Sequence, residues 1–178
     1  MLQKHMDEIC DDSVKEFIRV NLSYDPETGH FTWIRSPSNR VKVGQVAGSL
    51  CKYRGYRSIR VLGKLYLAHR LAFISMGKSV PEYVDHVNGI KDDNRWVNLR
   101  GATFSQNQQN KVKQRNNTSG YKGVSWNNSR KKWQAHITVD RKTIYLGLYI
   151  NPKEAHEAYK KAADNHFGDY KNYGGLGR

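Results

Sequence analysis

The stretch VDHVNGIKDDNRWVNLR, residues 84–100, with TFSQNQQN at residues 103–110, decides how this chain is read. It opens on Asp85-His86, passes an Asn88-Gly89 turn and a polar loop, and closes on a run of amide side chains. Residues 83–87 and 96–100 read as two short strands. Thr103-Phe104-Ser105-Gln106 has the form of a capping box, so a helix starts there. Its spacing of i, i+3 and i+4 puts Asn107, Asn110 and Lys111 on one face. The local order is strand, strand, helix.

The charge around this stretch is uneven. The 178 residues carry a formal net charge of +14. Residues 1–34 have 3 basic and 7 acidic side chains, residues 35–80 have 10 and none, residues 81–110 have 3 and 4, and residues 111–178 have 14 and 5. Two cationic flanks thus bracket a nearly neutral middle that contains carboxylates. That suits a protein acting on a polyanion, with cations for phosphate and a local acidic spot for a metal. Cys10 and Cys51 stand far apart with no CxxC, which argues against a disulfide framework and a structural zinc site. No apolar run has the length of a membrane span and no signal-peptide core opens the chain, so a soluble cytoplasmic protein is expected.

Outward from the centre, residues 12–21 form an amphipathic helix capped by Asp11 or Asp12. Asp25-Pro26-Glu27-Thr28-Gly29 between β-formers is the turn of a first hairpin. Residues 56–62 and 65–68 are the strands of a second hairpin, which runs into a buried helix over residues 68–76 ending at Gly77. Arg54, Arg57 and Arg60 project from or near this hairpin as phosphate contacts. His69 reads as a hydrogen-bonded core histidine, and Arg70 as a phosphate support. Residues 111–120 (KVKQRNNTSG) have no apolar period and are a basic linker, with Lys111, Lys113 and Arg115 to track phosphate. Residues 121–126, 132–139 and 143–149 are three strands. Asn151-Pro152-Lys153-Glu154 then starts a helix whose stripe of Ala155, Ala158, Tyr159, Ala162 and Ala163 suits close packing on a sheet. The Gly-rich end is a loose tail.

Phosphodiester hydrolysis needs a base to activate water, a cation to neutralise charge, and groups that hold both. Asp85 is a hard oxygen ligand for Mg²⁺ or Mn²⁺, His86 titrates near neutrality, and the amides of Asn98 and Asn107 can bind a metal or fix an imidazole. Neighbours on a strand face opposite sides, so spacing alone does not bring Asp85 and His86 to one site.

Asp85-His86, Asn98-Leu99 and Asn107, with YDPETG, GYRSIRV, AHRLAF and DNR upstream and between, resemble phage HNH homing endonucleases of the subgroup whose last motif letter is asparagine. The resemblance covers roughly residues 22–110. It implies a ββα-metal (His-Me finger) fold, with His86 as general base, Asp85 and Asn107 as metal ligands, and Asn98 orienting His86 and pinning the loop. Asn110 is the alternative ligand, and Arg95 of the DNR triplet falls among the DNA contacts. One divalent ion, Mg²⁺ or Mn²⁺, is implied. A third histidine is absent and asparagine binds zinc poorly, so no structural zinc is expected.

YKGVSW, KWQAHI, IYLGLY and PKEAHEAYKKAA are similar to the Apetala-2 (ethylene-response-factor) DNA-binding domain, which implies a three-stranded sheet on one helix entering the major groove. By position Lys122, Ser125, Trp126, Asn127, His136, Thr138 and Tyr145 fall on or near the DNA-facing strands. Trp126 is also open to a core reading. Ser125, Asn127 and Thr138 stand where that family carries arginine, which points to softer specificity.

The expected protein is α+β. A nuclease domain spans residues 1–110, with N-terminal hairpins and a ββα-metal core at about 83–112. The linker covers 111–120, the small antiparallel sheet with its helix 121–173, and a loose tail 174–178. The partner is double-stranded DNA, cut or nicked by a monomer without an obligate protein partner. A DNA-binding regulator with a degenerate HNH centre is the alternative.

Overall fold

The computed structural model describes residues 12–113 and 116–174. The chain divides into two compact units, one ending at Ala102 and the other starting at Thr103. It is a mixed α+β protein built from small antiparallel sheets.

In the first unit, helix α1 (Asp12–Asn21) buries Val14 and Ile18 one turn apart. It has the span expected from its periodicity; Asp11, one of its two candidate caps, lies outside the described residues. Strands β1 (Leu22–Tyr24) and β2 (Phe31–Trp33) pair antiparallel and aim Leu22, Phe31 and Trp33 inward. Asp25 makes their turn, accepting from the Glu27 amide and the Thr28 hydroxyl, and Gly29 closes it at φ 73°.

Strands β3 (Ser49–Leu50), β4 (Arg57–Val61) and β5 (Lys64–Leu67) form a second sheet in that order. Leu62 and Gly63 both take positive φ between β4 and β5, which matches strand twist in a two-residue hairpin. Helix α2 (Ala68–Ser75) follows without a loop and buries every residue from Ala68 to Phe73. Ile59, Val61, Leu71 and Ala72 join Phe31 and Ile18 in one core, which also takes in Val84 and Leu99. Those last two belong to β6 (Tyr83–His86) and β7 (Leu99–Ala102), an isolated antiparallel pair. The second strand begins later than its pattern predicts. Trp96–Asn98 is a 3-10 turn, because the Asn98 side chain is drawn back into the connecting loop.

The second unit starts with α3 (Phe104–Gln109), whose Thr103–Gln106 capping box forms as expected. Strands β8 (Val124–Asn127), β9 (Lys132–Val139) and β10 (Lys142–Tyr149) make a sheet with β9 central. Helix α4 (Pro152–Phe167), capped by Asn151 with Pro152 in its first turn, lies on it. Ala155, Tyr159 and Ala163 are buried against Val124, Ala135 and Ile137. Gly123, at φ 74°, makes the approach feasible: a Cβ there would stand 2.1 Å from the Tyr159 ring. The Asn172 carbonyl accepts from Lys122 Nζ and Asn172 Oδ1 from the Gly174 amide; residues 175–178 of the expected loose tail lie outside the described residues. Among the described residues no helix is long and apolar enough to cross a membrane.

Candidate active site

Antiparallel register sets Asp85 across from Arg100 and His86 across from Leu99. Arg100 Nε and Nη2 each reach Asp85 Oδ2 at 2.8 Å. The Asp85 side chain is 5% exposed and that of Arg100 19%, so this charge-assisted pair is shielded from water. Spacing gave no sign of it, because Arg100 is fifteen residues away and only the register brings it there.

His86 is 5% exposed and packs in a cluster of rings. The His69 ring stands edge-on to it at 5.0 Å between centroids, and the Tyr56 ring lies 6.0 Å away. Its Nε2 is 3.4 Å from Asn94 Oδ1. Burial draws the His86 pKa below the ordinary histidine value. The Asn94 contact and the Asp85 and Asp93 carboxylates oppose that, without overturning it. A neutral imidazole at pH 7 is thus favoured, the form a general base needs. His69 is the core residue its apolar helix suggested. Burial, then His86 and Arg70, push it down to about 3.

Asn98 spans the loop between β6 and β7. Its Oδ1 accepts from the Asn88 amide at 2.9 Å and its Nδ2 donates to the Asp93 carbonyl at 2.7 Å. Asp93 adds a second brace, taking bonds from Asn88 Nδ2 and from Arg95 Nε and Nη2. The Arg95 guanidinium, foremost, holds the Asp93 carboxyl down at about 2. Sequence reasoning passed over Asn94, whose side chain touches the His86 ring. The DNR triplet was the available signal.

Asn107 lies half-buried in α3, in the second unit. Asn110 is the C-cap of that helix, 3% exposed, and its Oδ1 already faces Asn172 Nδ2 at 3.4 Å. The donors at issue, one carboxylate and an amide oxygen, are hard ligands that suit Mg²⁺ or Mn²⁺ with phosphate and water completing the shell. Among the described residues no three His, Cys, Asp or Glu side chains gather as a metal cage.

The expected DNA contacts separate into groups. Arg54 is exposed, and Arg60 is exposed with Nη1 on the Gly63 carbonyl. Arg57 grips Asp92 through two 3.0 Å bonds, and Arg95 grips Asp93. Arg70 is 9% exposed, with Nη1 donating to the Glu82 carbonyl, so it braces the approach to β6 from inside. Lys111 is exposed and Lys113 Nζ reaches the Gly120 carbonyl; Arg115 lies outside the described residues. Lys122 is drawn inward, its Nζ on the Gln109 and Asn172 carbonyls, and burial lowers its pKa to about 8. Strand alternation puts Ser125, Asn127, His136, Thr138 and Tyr145 on the sheet face away from the buried Val124, Ala135 and Ile137. Trp126 falls on the other face, edge-to-face with Trp133 at 5.0 Å. Lys111, Lys113, Ser125, His136 and Thr138 also line one cavity of about 920 Å³ within the second unit.

Comparison with known proteins bears on the region that holds Asp85 and His86. Residues 66–109 match the family model described as HNH endonuclease, so the chain carries an HNH endonuclease domain there. Over 60 residues it is 37% identical to Protein 3.8 of Escherichia phage T7, a stretch that covers 34% of this chain and 50% of that protein. The chain thus spans about half the length of the curated relative it matches. No solved structure matches significantly.

Proposed function

We propose that this protein is a divalent-metal-dependent DNA endonuclease of homing type, acting in the cytoplasm of its host. The observation that carries the reading is the buried, neutral-leaning His86 ring next to Asp85 at the end of β6, inside the matched HNH region. His86 takes the proton from the attacking water. Asp85, with the amide oxygen of Asn107, would hold Mg²⁺ or Mn²⁺, which supplies charge neutralisation at the scissile phosphate. Asn107 is favoured over Asn110 because the Asn110 oxygen faces Asn172. Asn98 keeps the loop closed beneath the base. In this reading β6, β7 and α3 are the ββα-metal element.

The second unit acts as a DNA-binding module of Apetala-2 type. Its three-stranded sheet on one helix supports that; the polar face of Ser125, Asn127, His136 and Thr138 departs from that family in lacking arginine, which favours tolerant readout. Lys111, Lys113, Arg54 and Arg60 contact phosphate, and a monomer on duplex DNA suffices. The decisive assay is supercoiled plasmid with Mg²⁺, repeated with EDTA. Wild type nicks or linearises it only with the metal, while His86→Ala binds DNA with near-normal affinity and does not cut. Full cleavage by His86→Ala would remove the mechanism.

A further inference from the structure

The turn of the first hairpin has no part in the chemistry above, yet it is built against the loop that carries Asn94. The Tyr24 hydroxyl donates to the Asn94 carbonyl at 2.7 Å. The Trp96 amide donates to the Pro26 carbonyl at 2.9 Å. Gly29 approaches so closely that a Cβ there would stand 2.3 Å from the Asn94 carbonyl carbon and 2.4 Å from the Arg95 nitrogen. Asn94 is 1% exposed, so this stretch has no room to move aside.

The Asn94 side chain is oriented as well. Its Nδ2 donates to the Asp92 carbonyl at 3.2 Å, which turns Oδ1 towards His86 Nε2. An amide oxygen only accepts, so in this contact Nε2 is the donor and the ring's orientation is fixed by Asn94.

We propose that the first hairpin turn sets the His86 ring through Asn94: Asn94 is a positioning residue for the base, and Tyr24 and Gly29 hold Asn94 in place. This rests on the nuclease reading for its link to rate, but not for its structural content. A group that orients a base acts on turnover, not on affinity, and small misplacements of a reacting group cost about 10- to 100-fold.

The test uses the full-length chain as wild type, Asn94→Ala, Tyr24→Phe and the double variant, with Asn94→Asp retaining the acceptor oxygen. Three quantities are read: plasmid cleavage under single turnover with Mg²⁺, DNA affinity by anisotropy, and the ¹⁵N shifts of the His86 ring. Asn94→Ala should cut about 10- to 100-fold more slowly with affinity within about 2-fold, and Tyr24→Phe about 3- to 10-fold more slowly. The double variant should be no slower than Asn94→Ala, because both changes break one chain of contacts. Asn94→Asp should restore most of the rate, and the Nε2-protonated ¹⁵N pattern of wild type should be lost in Asn94→Ala alone among the single variants. Unchanged ¹⁵N shifts in Asn94→Ala, or losses that add in the double variant, overturn the proposal while wild-type cleavage keeps the nuclease reading intact. A wild type that never cuts, yet loses the ¹⁵N pattern with Asn94→Ala, fails the nuclease reading and upholds the positioning contact. Should Asn94→Ala not fold, Tyr24→Phe decides by rate and affinity: slowing by about 3- to 10-fold at unchanged affinity upholds the proposal, and an unchanged rate overturns it.

Discussion

Arg100 reaches across the β6–β7 pair and closes on Asp85 at 2.8 Å, covering with its own charge the carboxylate proposed to receive a metal. Removing the guanidinium leaves a carboxylate, 5% exposed, without its counter-charge. Such losses are costly, here about 2–3 kcal/mol because Arg100 itself is partly wet. Arg100→Met should therefore melt lower than wild type without metal, and gain more from added Mg²⁺ than wild type does. Thermal shift with and without Mg²⁺ measures both. An equal metal-induced shift in the two proteins would mean that Arg100 and the ion do not share Asp85.

His69 gives the first unit an acid limit. Its folded pKa is about 3 against an ordinary 6.5, so the unfolded chain binds the proton more readily across that window. Stability is full above pH 6.5 and falls as the pH drops towards 3. His86, shifted the same way, adds to the slope. His69→Phe, which fills the space without a titrating group, should flatten the midpoint-against-pH curve between pH 6.5 and 4. The melting temperature across that range tests it.

The β6–β7 loop should open when Asn98 is cut back. Asn98→Ala leaves the Asn88 amide and the Asp93 carbonyl without their bonds, at about 1 kcal/mol each, because Asn88 is exposed and Asp93 half-buried. Amide exchange at Asn88 should accelerate by at least about 10-fold while exchange in α2 stays slow. Uniform acceleration through the whole unit would make Asn98 a general stability residue instead.

Lys111 and Lys122 should part company in a salt titration of DNA binding. Lys111 is exposed, and Lys111→Ala should reduce the slope of log affinity against log salt by about 1. Lys122 has its ammonium on two carbonyls, so Lys122→Met should keep the wild-type slope and lower the melting temperature instead. Matching slope changes in both would return Lys122 to the DNA surface.

Local chemistry made much of this fold legible in advance. The Thr103 capping box, the Asn151-Pro152 helix start and the Asp25–Gly29 turn are each specified by a few adjacent residues, and each formed. What local pattern does not encode is which residues meet across a register or a loop. The Asp85–Arg100 pair, Asn94 on His86 and the burial of Lys122 all depend on such meetings. Trp96–Asn98 shows the same limit: its apolar pattern suits a strand, but the two bonds of Asn98 coil it into a turn.

Arg57 and Lys91 tie the second hairpin and the segment leading into it to the β6–β7 loop, one through Asp92 and the other through the Arg54 carbonyl. The hairpin and the loop therefore keep a fixed mutual spacing. If Arg54 grips a phosphate and His86 is the base, as proposed, that phosphate would stand at a constant remove from His86, and the first unit would be a gauge that measures along the duplex from the grip to the cut. Lengthening residues 51–56 by two would move that mark, displacing the break along the backbone without altering the machinery that makes it.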